Sequence, residues 1–298
     1  MSKFSVTCFG TGDGWPCADR NHAAFLYRLG KTCILIDCGE PIDRSYKASG
    51  LSYDLIDAIF ISHLHSDHFG GFFMLMQGCW LEGRTKPLPV YLPQGAIKPL
   101  RAMLNAGFLF DEALDFRLEL RPIPDGKAFS VGNARVTAFP TSHLAHTRAR
   151  FGKSVSENCQ RMDGVRAERA SSPQPSPPKE ERGRISLTGS KKYASDFSSF
   201  CFLLEAGGRR IVHSADLGKP EDLTPALEKP IDLLICELAH FSRQDMFAYL
   251  HGRQVKRVDF MHVGRPFYED LARTRRLAAK MLPDIPHTFP RDLDQISF

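Results

Sequence analysis

The sequence contains no apolar run close to the roughly 20 residues that a membrane-spanning helix requires. Its first residues, 1–6, also lack the long apolar core of a secretory signal. Eight cysteines are scattered along 298 residues without a CxxC pair, so a cysteine-ligated zinc site is not supported. Buried, reduced thiols in a chain of this size are typical of the cytoplasm. We therefore expect a cytoplasmic protein without membrane contact.

Motifs for nucleotide cradles and serine or cysteine nucleophiles are missing as well. The glycine-rich stretch 10–16 follows a predicted strand, but it has neither a Gly-Lys-Ser/Thr sequence nor G-x-G-x-x-G spacing. A G-x-S-x-G nucleophile elbow does not occur, and no cysteine lies in a recognisable nucleophile setting. We expect the glycine-rich stretch to be a tight loop beside an active site whose chemistry comes from other residues.

The overall composition is that of an ordinary globular protein, with 43% hydrophobic and 24% charged residues. The net charge of +5 is concentrated in one segment, because 11 Lys/Arg and 5 Asp/Glu lie between Arg148 and Lys192. Residues 171–182 are rich in proline, serine and charge, a composition that cannot bury enough apolar surface to fold. We predict a single domain over residues 1–298 that carries a disordered basic insertion at 151–194. An inert loop is favoured over an RNA grip there, since the segment has few aromatic residues.

Three histidines and an aspartate follow a short apolar strand within six residues. The run 58–61 predicts a buried strand, and the cluster follows at once as His63, His65, Asp67 and His68. In extended chain the two histidines at odd positions face the same side. Burying four such polar groups without partners would cost several kcal/mol. Imidazole nitrogens and a carboxylate are ligands for first-row metals, so the cluster predicts a metal site.

Later predicted strands also end in polar residues. Asp37 ends one such strand and is interpreted as a support for the metal ligands, with a helix N-cap as the alternative. His143 follows another strand and is favoured as a third histidine ligand over the neighbouring His146. The remaining strand-end candidates are Asp216, Glu237, His240 and His262. Two mixed sheets flanked by helices would gather all of them at one edge.

These residues suffice for two metal ions. His63, His65 and His143 suit one zinc with an open catalytic position, while Asp67, His68 and His262 suit a second, with Asp216 bridging both. Two Zn²⁺ per chain are expected, and Mn²⁺ and Fe²⁺ stay open as alternatives. Two ions about 3.5–4 Å apart can share and acidify a water. Asp67 is the candidate to orient and deprotonate that water.

The order of these motifs resembles that of the metallo-β-lactamase superfamily, across nearly the whole chain outside the insertion. The stretches 9–12, 20–22 and 36–40, and an aspartate rather than a cysteine at 216, further resemble its ribonuclease Z and phosphodiesterase branch. The resemblance implies an α/β (α+β) protein, a four-layer αββα sandwich with one or two zinc ions, and hydrolysis of a phosphodiester. For ribonuclease Z itself it implies trimming of tRNA 3′ ends.

The chain departs from ribonuclease Z at two points. A His-Glu pair of that enzyme, whose histidine helps the leaving group, reads Cys236-Glu237 here, and the nearest histidine is His240. The His-Phe-Ser expected at the last motif reads His262-Val263-Gly264. Asp67, Glu237 and His240 are therefore the catalytic candidates.

Several functions stay open. The leading hypothesis is a metal-dependent hydrolase of a small-molecule or oligonucleotide phosphodiester. A same-fold hydrolase of a lactone or aryl sulfate, a tRNA-processing enzyme, and a non-catalytic nucleic-acid-binding protein with a structural metal site are the alternatives. RNA contact through the insertion and a homodimer are open as well.

Overall fold

Two seven-stranded sheets form the centre of the protein in a computed structural model, which describes residues 4–151 and 197–298. The strands are β1 (Phe4–Gly10), β2 (Ala24–Leu29), β3 (Thr32–Ile36), β4 (Ala58–Phe60), β5 (Leu88–Leu92), β6 (Leu118–Pro122), β7 (Phe129–Val131), β8 (Ala134–Pro140), β9 (Phe200–Ala206), β10 (Arg209–His213), β11 (Leu233–Leu238), β12 (Val258–Val263), β13 (His287–Thr288) and β14 (Gln295–Ser297). The first sheet has the order β14-β1-β2-β3-β4-β5-β6, and the second has the order β13-β12-β11-β10-β9-β8-β7.

Helices cover the outer face of each sheet. They are α1 (Ile42–Ala48), α2 (Ser66–Phe69), α3 (Phe72–Leu81), α4 (Ile97–Ala106), α5 (Arg243–Leu250), α6 (Arg265–Glu269) and α7 (Leu271–Met281). Residues 145–151 are also helical, and 3₁₀ turns occur at Tyr53–Leu55, Gln94–Ala96, Asp111–Ala113 and Pro220–Leu227. Among the helices of residues 4–151 and 197–298, none has the length and apolar character to cross a membrane.

Successive side chains of a buried strand point alternately to the other sheet and to the helices outside. The protein therefore has four layers, two of sheet and two of helix. In β3, Ile34 and Ile36 point into the core between the two sheets, whereas Cys33 and Leu35 pack under helices α1 and α3. Strands buried on both faces are near-continuous apolar runs, as in β3 and β11. The predicted αββα sandwich of two mixed sheets is therefore present.

The strand directions bring the polar strand ends to one edge. Strands β3 to β6 run parallel to one another, as do β10 to β12. β8 has the same direction as β10 because each pairs antiparallel with β9. The carboxyl ends of these strands consequently meet, and the segments that follow them carry the candidate residues from both halves of the chain.

Most predicted elements are present, with two differences. The apolar pattern of residues 268–282 predicts one helix, but the helix is interrupted at Asp270, which caps α7 by accepting a hydrogen bond from the Arg273 N–H (3.2 Å). The short strands β7, β13 and β14 were not predicted, because two or three residues give too little periodicity. The predicted insertion at 151–194 lies outside the described residues apart from Phe151.

Phe60 tests the core between the sheets. Its ring stacks on the Tyr91 ring, with the two ring centres 4.8 Å apart. The centre of the Phe202 ring, in the other sheet, lies 5.4 Å away. Phe60→Ala should lower the free energy of unfolding by about 3–5 kcal/mol, measured by urea denaturation. Leu81→Ala, at an exposed position, should change it by less than about 0.5 kcal/mol. Equal midpoints for the two variants would contradict this packing.

Candidate metal centre

Asp216 lies at the centre of a histidine cluster and is 1% exposed. On one side, its Oδ2 atom is 3.6 Å from His63 Nε2 and 3.5 Å from His143 Nε2. His65 completes this set, since its Nδ1 lies 3.2 Å from His143 Nε2. These four side chains have ligand atoms close enough together to hold one ion.

The other carboxylate oxygen of Asp216 faces a second set. Its Oδ1 atom is 3.2 Å from His68 Nε2 and 3.4 Å from His262 Nε2. Asp67 adds an oxygen, since its Oδ2 lies 3.6 Å from His68 Nε2 and 3.8 Å from His262 Nε2. Asp67, His68 and His262 could hold another ion. The two oxygens of Asp216 therefore point to two separate candidate positions.

Unpaired buried atoms support a metal at these positions. Within the described ranges, His63 Nε2, His68 Nε2 and Asp216 Oδ1 are buried and have no hydrogen-bond partner. An unpaired buried polar atom costs about 1–3 kcal/mol. Because these atoms face the two candidate positions and are good ligands for divalent cations, the residues present fit a metal.

Asp37 holds the cluster from behind. Its Oδ2 lies 2.7 Å from His68 Nδ1 and accepts a hydrogen bond from the Ser62 hydroxyl (2.9 Å). That hydroxyl is 3.0 Å from His63 Nδ1. The Nδ1–H groups of both histidines are thereby occupied, which leaves each Nε2 free to bind a metal. Helix α1 has Pro41 at its N-cap, so Asp37 is not the cap that was considered as an alternative.

Strained backbone surrounds the cluster. Asp37, Ala215 and His262 have positive φ angles of 60°, 44° and 49°, which are uncommon for residues other than glycine. His262 is held there by a hydrogen bond from its N–H to the Thr11 carbonyl (2.9 Å). Such strain persists where surrounding contacts fix a functional geometry.

Glu237 and His240 form a pair at the edge of the cluster. Glu237 is 2% exposed, and its carboxylate accepts hydrogen bonds from the backbone N–H groups of Leu217 (2.6 Å) and Ala239 (2.8 Å). It also lies 3.0 Å from His240 Nδ1. The other nitrogen of His240, Nε2, is 3.7 Å from Asp216 Oδ2. Glu237 therefore aims a partly exposed imidazole at the cluster. His240 could also join Asp216 and His262 in a third group that could hold an ion.

Burial and charge shift the pKa values of the histidines in opposite directions. Burial lowers the pKa of His63 far below its usual range and that of His143 to about 4. Burial also acts to lower the pKa of His240, but Glu237 and Asp216 outweigh it and raise that pKa to about 9. The pKa of Asp216 is held well below its usual range, because His262 and His68 outweigh the opposing effect of burial. A neutral histidine set thus faces one oxygen of Asp216, while His240 favours the charged form.

The structure brings together every residue predicted for the site. His143 joins the cluster and His146 is exposed outside it, as expected for the residue nearer the strand end. The glycine-rich loop also lies beside the site, since a Cβ atom on Gly14 would come within 3.2 Å of Asp67 Oδ2. Ser62 was missed, although it stands between the strand and the first ligand and could have been suspected from that position.

A family comparison identifies the chain. The model of the family described as anti-Pycsar protein Apyc1 matches residues 4–159, just over half of the 298 residues. The chain belongs to this family. The match contains the first four histidines of the cluster together with Asp37 and Asp67.

Other relatives place the Apyc1-family chain in a wider group. It is 27% identical over 284 residues to a ribonuclease Z of Archaeoglobus fulgidus, a match that covers 90% of this chain and 89% of that protein. The predicted metallo-β-lactamase superfamily, its ribonuclease Z branch and a metallo-hydrolase are confirmed.

Solved structures share the fold. The metallo-β-lactamase fold protein YhfI of Bacillus subtilis superposes with a TM-score of 0.68 at 15% identity, covering 98% of both chains. The short form of human tRNase Z gives 0.65 at 20% identity, also over 98% of both chains. Zn²⁺-bound PqqB of Methylobacterium extorquens gives 0.65 at 14% identity, over 99% of this chain and 100% of that one. The predicted fold class is thereby confirmed.

Asp37→Asn tests the support behind His68. Asparagine tolerates the left-handed backbone of residue 37, so the change removes the carboxylate charge with little effect on the backbone. Loss of such a partner should weaken metal binding about 10- to 100-fold, measured by competition with a chromophoric chelator. Asp54→Asn is the control, because the Asp54 carboxylate accepts hydrogen bonds from the exposed turn at Thr85 and Lys86. Unchanged affinity in Asp37→Asn with intact circular dichroism would contradict the assigned role.

Proposed function

We propose that the chain is a dinuclear zinc enzyme that hydrolyses phosphodiester bonds. One observation carries this proposal: the two carboxylate oxygens of Asp216 face two separate sets of candidate ligands. The ribonuclease Z relatives support a phosphodiester as the substrate, and the Zn²⁺ named for PqqB supports zinc. The free cysteines of the described residues suit the reducing cytoplasm.

The proposed ligands follow the two sets. His63, His65 and His143 would hold one ion, while Asp67, His68 and His262 would hold the other, with Asp216 between them. When bound, such a pair lowers the pKa of a shared water and neutralises the phosphodiester anion. Asp37 and Ser62 keep the Nδ1 protons of His68 and His63 away from the site, so that both rings present lone pairs to it.

Asp67 and His240 are the proposed proton-transfer groups. Asp67 is partly exposed and its carboxylate lies at the edge of the second set, so it can orient a water and accept its proton. His240 lies at the edge of the cluster with Nε2 3.7 Å from Asp216 Oδ2. With Glu237 holding its Nδ1–H, His240 can donate the Nε2 proton to the departing alkoxide. His240 would thereby take the role of the histidine that ribonuclease Z has at the position of Cys236.

Trimming of tRNA 3′ ends is the second candidate. It is favoured by the 27% identity to an archaeal ribonuclease Z along most of both chains. The Lys and Arg side chains of residues 151–194 would then bind the RNA phosphates. Deletion of residues 155–190 separates the two, because hydrolysis of small substrates should survive whereas precursor tRNA binding should be lost. In either case, the anti-Pycsar role that the family name denotes would depend on the same metal centre.

Metal removal and Asp67→Ala test the hydrolytic centre. Dialysis against EDTA should abolish hydrolysis of bis(p-nitrophenyl) phosphate, and two equivalents of Zn²⁺ should restore it. Asp67→Ala should lower kcat by about 10²-fold or more, because a ligand and a proton acceptor are lost together. Lactones and aryl sulfates are assayed in parallel. Turnover of those esters without turnover of phosphodiesters would overturn the proposed substrate.

His240→Ala tests the proton donor through the leaving group. Hydrolysis of the dinucleotide ApA, which releases an alkoxide, should fall about 10²- to 10⁴-fold. Hydrolysis of bis(p-nitrophenyl) phosphate should change little, because p-nitrophenolate leaves without a proton.

His146→Ala is the matched control, since His146 is exposed and lies outside the cluster. Equal losses on both substrates together with a lower metal content would identify His240 as a ligand instead.

A further inference from the structure

His213 is a buried histidine that the proposed reaction does not use. It ends strand β10 and packs against the core between the two sheets, where its ring centre lies 4.9 Å from that of Phe25. The side chain is 2% exposed. Its Nδ1 is 2.8 Å from the hydroxyl of Tyr27, which is fully buried. Buried polar atoms need hydrogen-bond partners, and Tyr27 satisfies one of the two ring nitrogens of His213.

The Tyr27 hydroxyl fixes which nitrogen of His213 carries the proton. Burial raises the pKa of Tyr27 well above its usual range, so the hydroxyl keeps its proton. Burial also lowers the pKa of His213 to about 3, so the ring is neutral. Among the contacts of the described residues, the one to His213 is the only hydrogen bond of this hydroxyl, which therefore donates to Nδ1. The proton of His213 is consequently on Nε2, and this N–H requires an acceptor.

A small cavity lies beside His213, between the core of the sheets and the metal centre. The core residues Phe25 and Met261 line one part of it, while Asp216 and His262 line another. Its volume is about 10 Å³, and about 10–15 Å³ is the least that one water needs. The cavity is therefore too small for a substrate or a cofactor, but it can take a single water.

His262 lines the same cavity and has a ring nitrogen to satisfy. The residue is 5% exposed, and its Nδ1 is buried without a hydrogen-bond partner in the part of the chain that the structure describes. Asp37 holds Nδ1 of His68, and Ser62 holds that of His63. A histidine that binds a metal through one nitrogen usually donates the other N–H to a carboxylate, a carbonyl or a water. His262 therefore needs an acceptor as well.

The Ser214 hydroxyl adds a third polar group to the cavity wall. It donates a hydrogen bond to the Ala215 carbonyl (2.8 Å) and accepts one from the Glu237 N–H (2.9 Å). A hydroxyl oxygen has two lone pairs, so one lone pair of Ser214 stays open. Two N–H donors and one acceptor thus surround the cavity. A buried water typically makes about three hydrogen bonds, which matches this set.

We propose that one buried water connects His213 to His262, which makes His213 a positioning residue for the ion of the second set. The water would accept hydrogen bonds from His213 Nε2 and His262 Nδ1 and donate one to the Ser214 hydroxyl. The proton of His262 is thereby held on Nδ1, and its Nε2 presents a lone pair to the ion. This rests on the proposed function, because it takes His262 as a ligand of that ion.

The water can be observed without metal and without turnover. A high-resolution crystal structure of the metal-free protein should show one water within hydrogen-bond distance of both His213 Nε2 and His262 Nδ1. The same water should be present after zinc is added, and it should be absent in His213→Phe. A dry cavity in the unsubstituted protein, or a water that contacts neither ring, would overturn the proposal.

Metal affinity tests what the water does for the ion of the second set. Competition with a chromophoric chelator gives a dissociation constant for each of the two zinc ions. His213→Phe keeps a ring but removes the N–H, so it should weaken the second ion about 10- to 100-fold and leave the first unchanged. His213→Gln, whose amide N–H can reach the same place, should restore most of the affinity.

Ile211→Val is the matched control for damage to the core. Ile211 is buried on the same strand and packs into the core between the sheets, but it does not line the cavity. The loss of one methyl group there should leave both zinc affinities unchanged. Equal weakening of the second ion in Ile211→Val and His213→Phe would identify core damage as the cause and overturn the proposal.

The outcomes separate the role of His213 from the proposed function. Normal affinity for both zinc ions in His213→Phe would overturn that role and leave the phosphodiesterase standing. Weaker binding of the second ion in His213→Phe, restored in His213→Gln, would support the role of His213 even if the protein hydrolyses no phosphodiester. The absence of hydrolysis would then overturn the proposed function alone.

Discussion

A single buried carboxylate, that of Asp216, organises the candidate site. It is taken almost completely out of water, which costs several kcal/mol unless positive charge compensates it. Histidines approach both of its oxygens at 3.2–3.6 Å, and part of that shell is itself unpaired. Imidazoles and a carboxylate packed in this way are satisfied best by cations between them. The remaining polar contacts of the site serve to keep these groups in place.

The fold supplies that arrangement by using both halves of the chain. The first sheet delivers the 63–68 cluster and the second delivers His143, Asp216 and His262, so neither half contains a complete site. Hydrogen bonds join the halves at the same edge, including the one from the His262 N–H to the Thr11 carbonyl. The strained backbone at Asp37 and His262 is tolerated because each is held by such contacts. Metal binding should therefore couple to the packing of the two sheets.

The sequence was sufficient to predict which residues gather at the candidate site, because most of them follow a buried strand whose apolar run is easy to recognise. His63 and His143 are examples, and parallel strands bring such ends to one edge of a sheet. Support within the site was harder to predict. Ser62 acts through a hydrogen bond to Asp37, 25 residues earlier in the chain, and the sequence shows only that Ser62 stands between the strand and the first histidine. The break at Asp270 was missed because the flanking residues keep a helical apolar pattern across it.

The central claim is that the two oxygens of Asp216 each bind one of two cations. Anomalous diffraction at the zinc absorption edge tests this claim most directly. Crystals of the zinc-loaded protein should show two anomalous peaks about 3.5–4 Å apart. One peak should lie on the His63 side of the Asp216 carboxylate and the other on the His262 side. A single peak, bound by His63, His65 and His143 with the other set still empty at saturating zinc, would contradict the account.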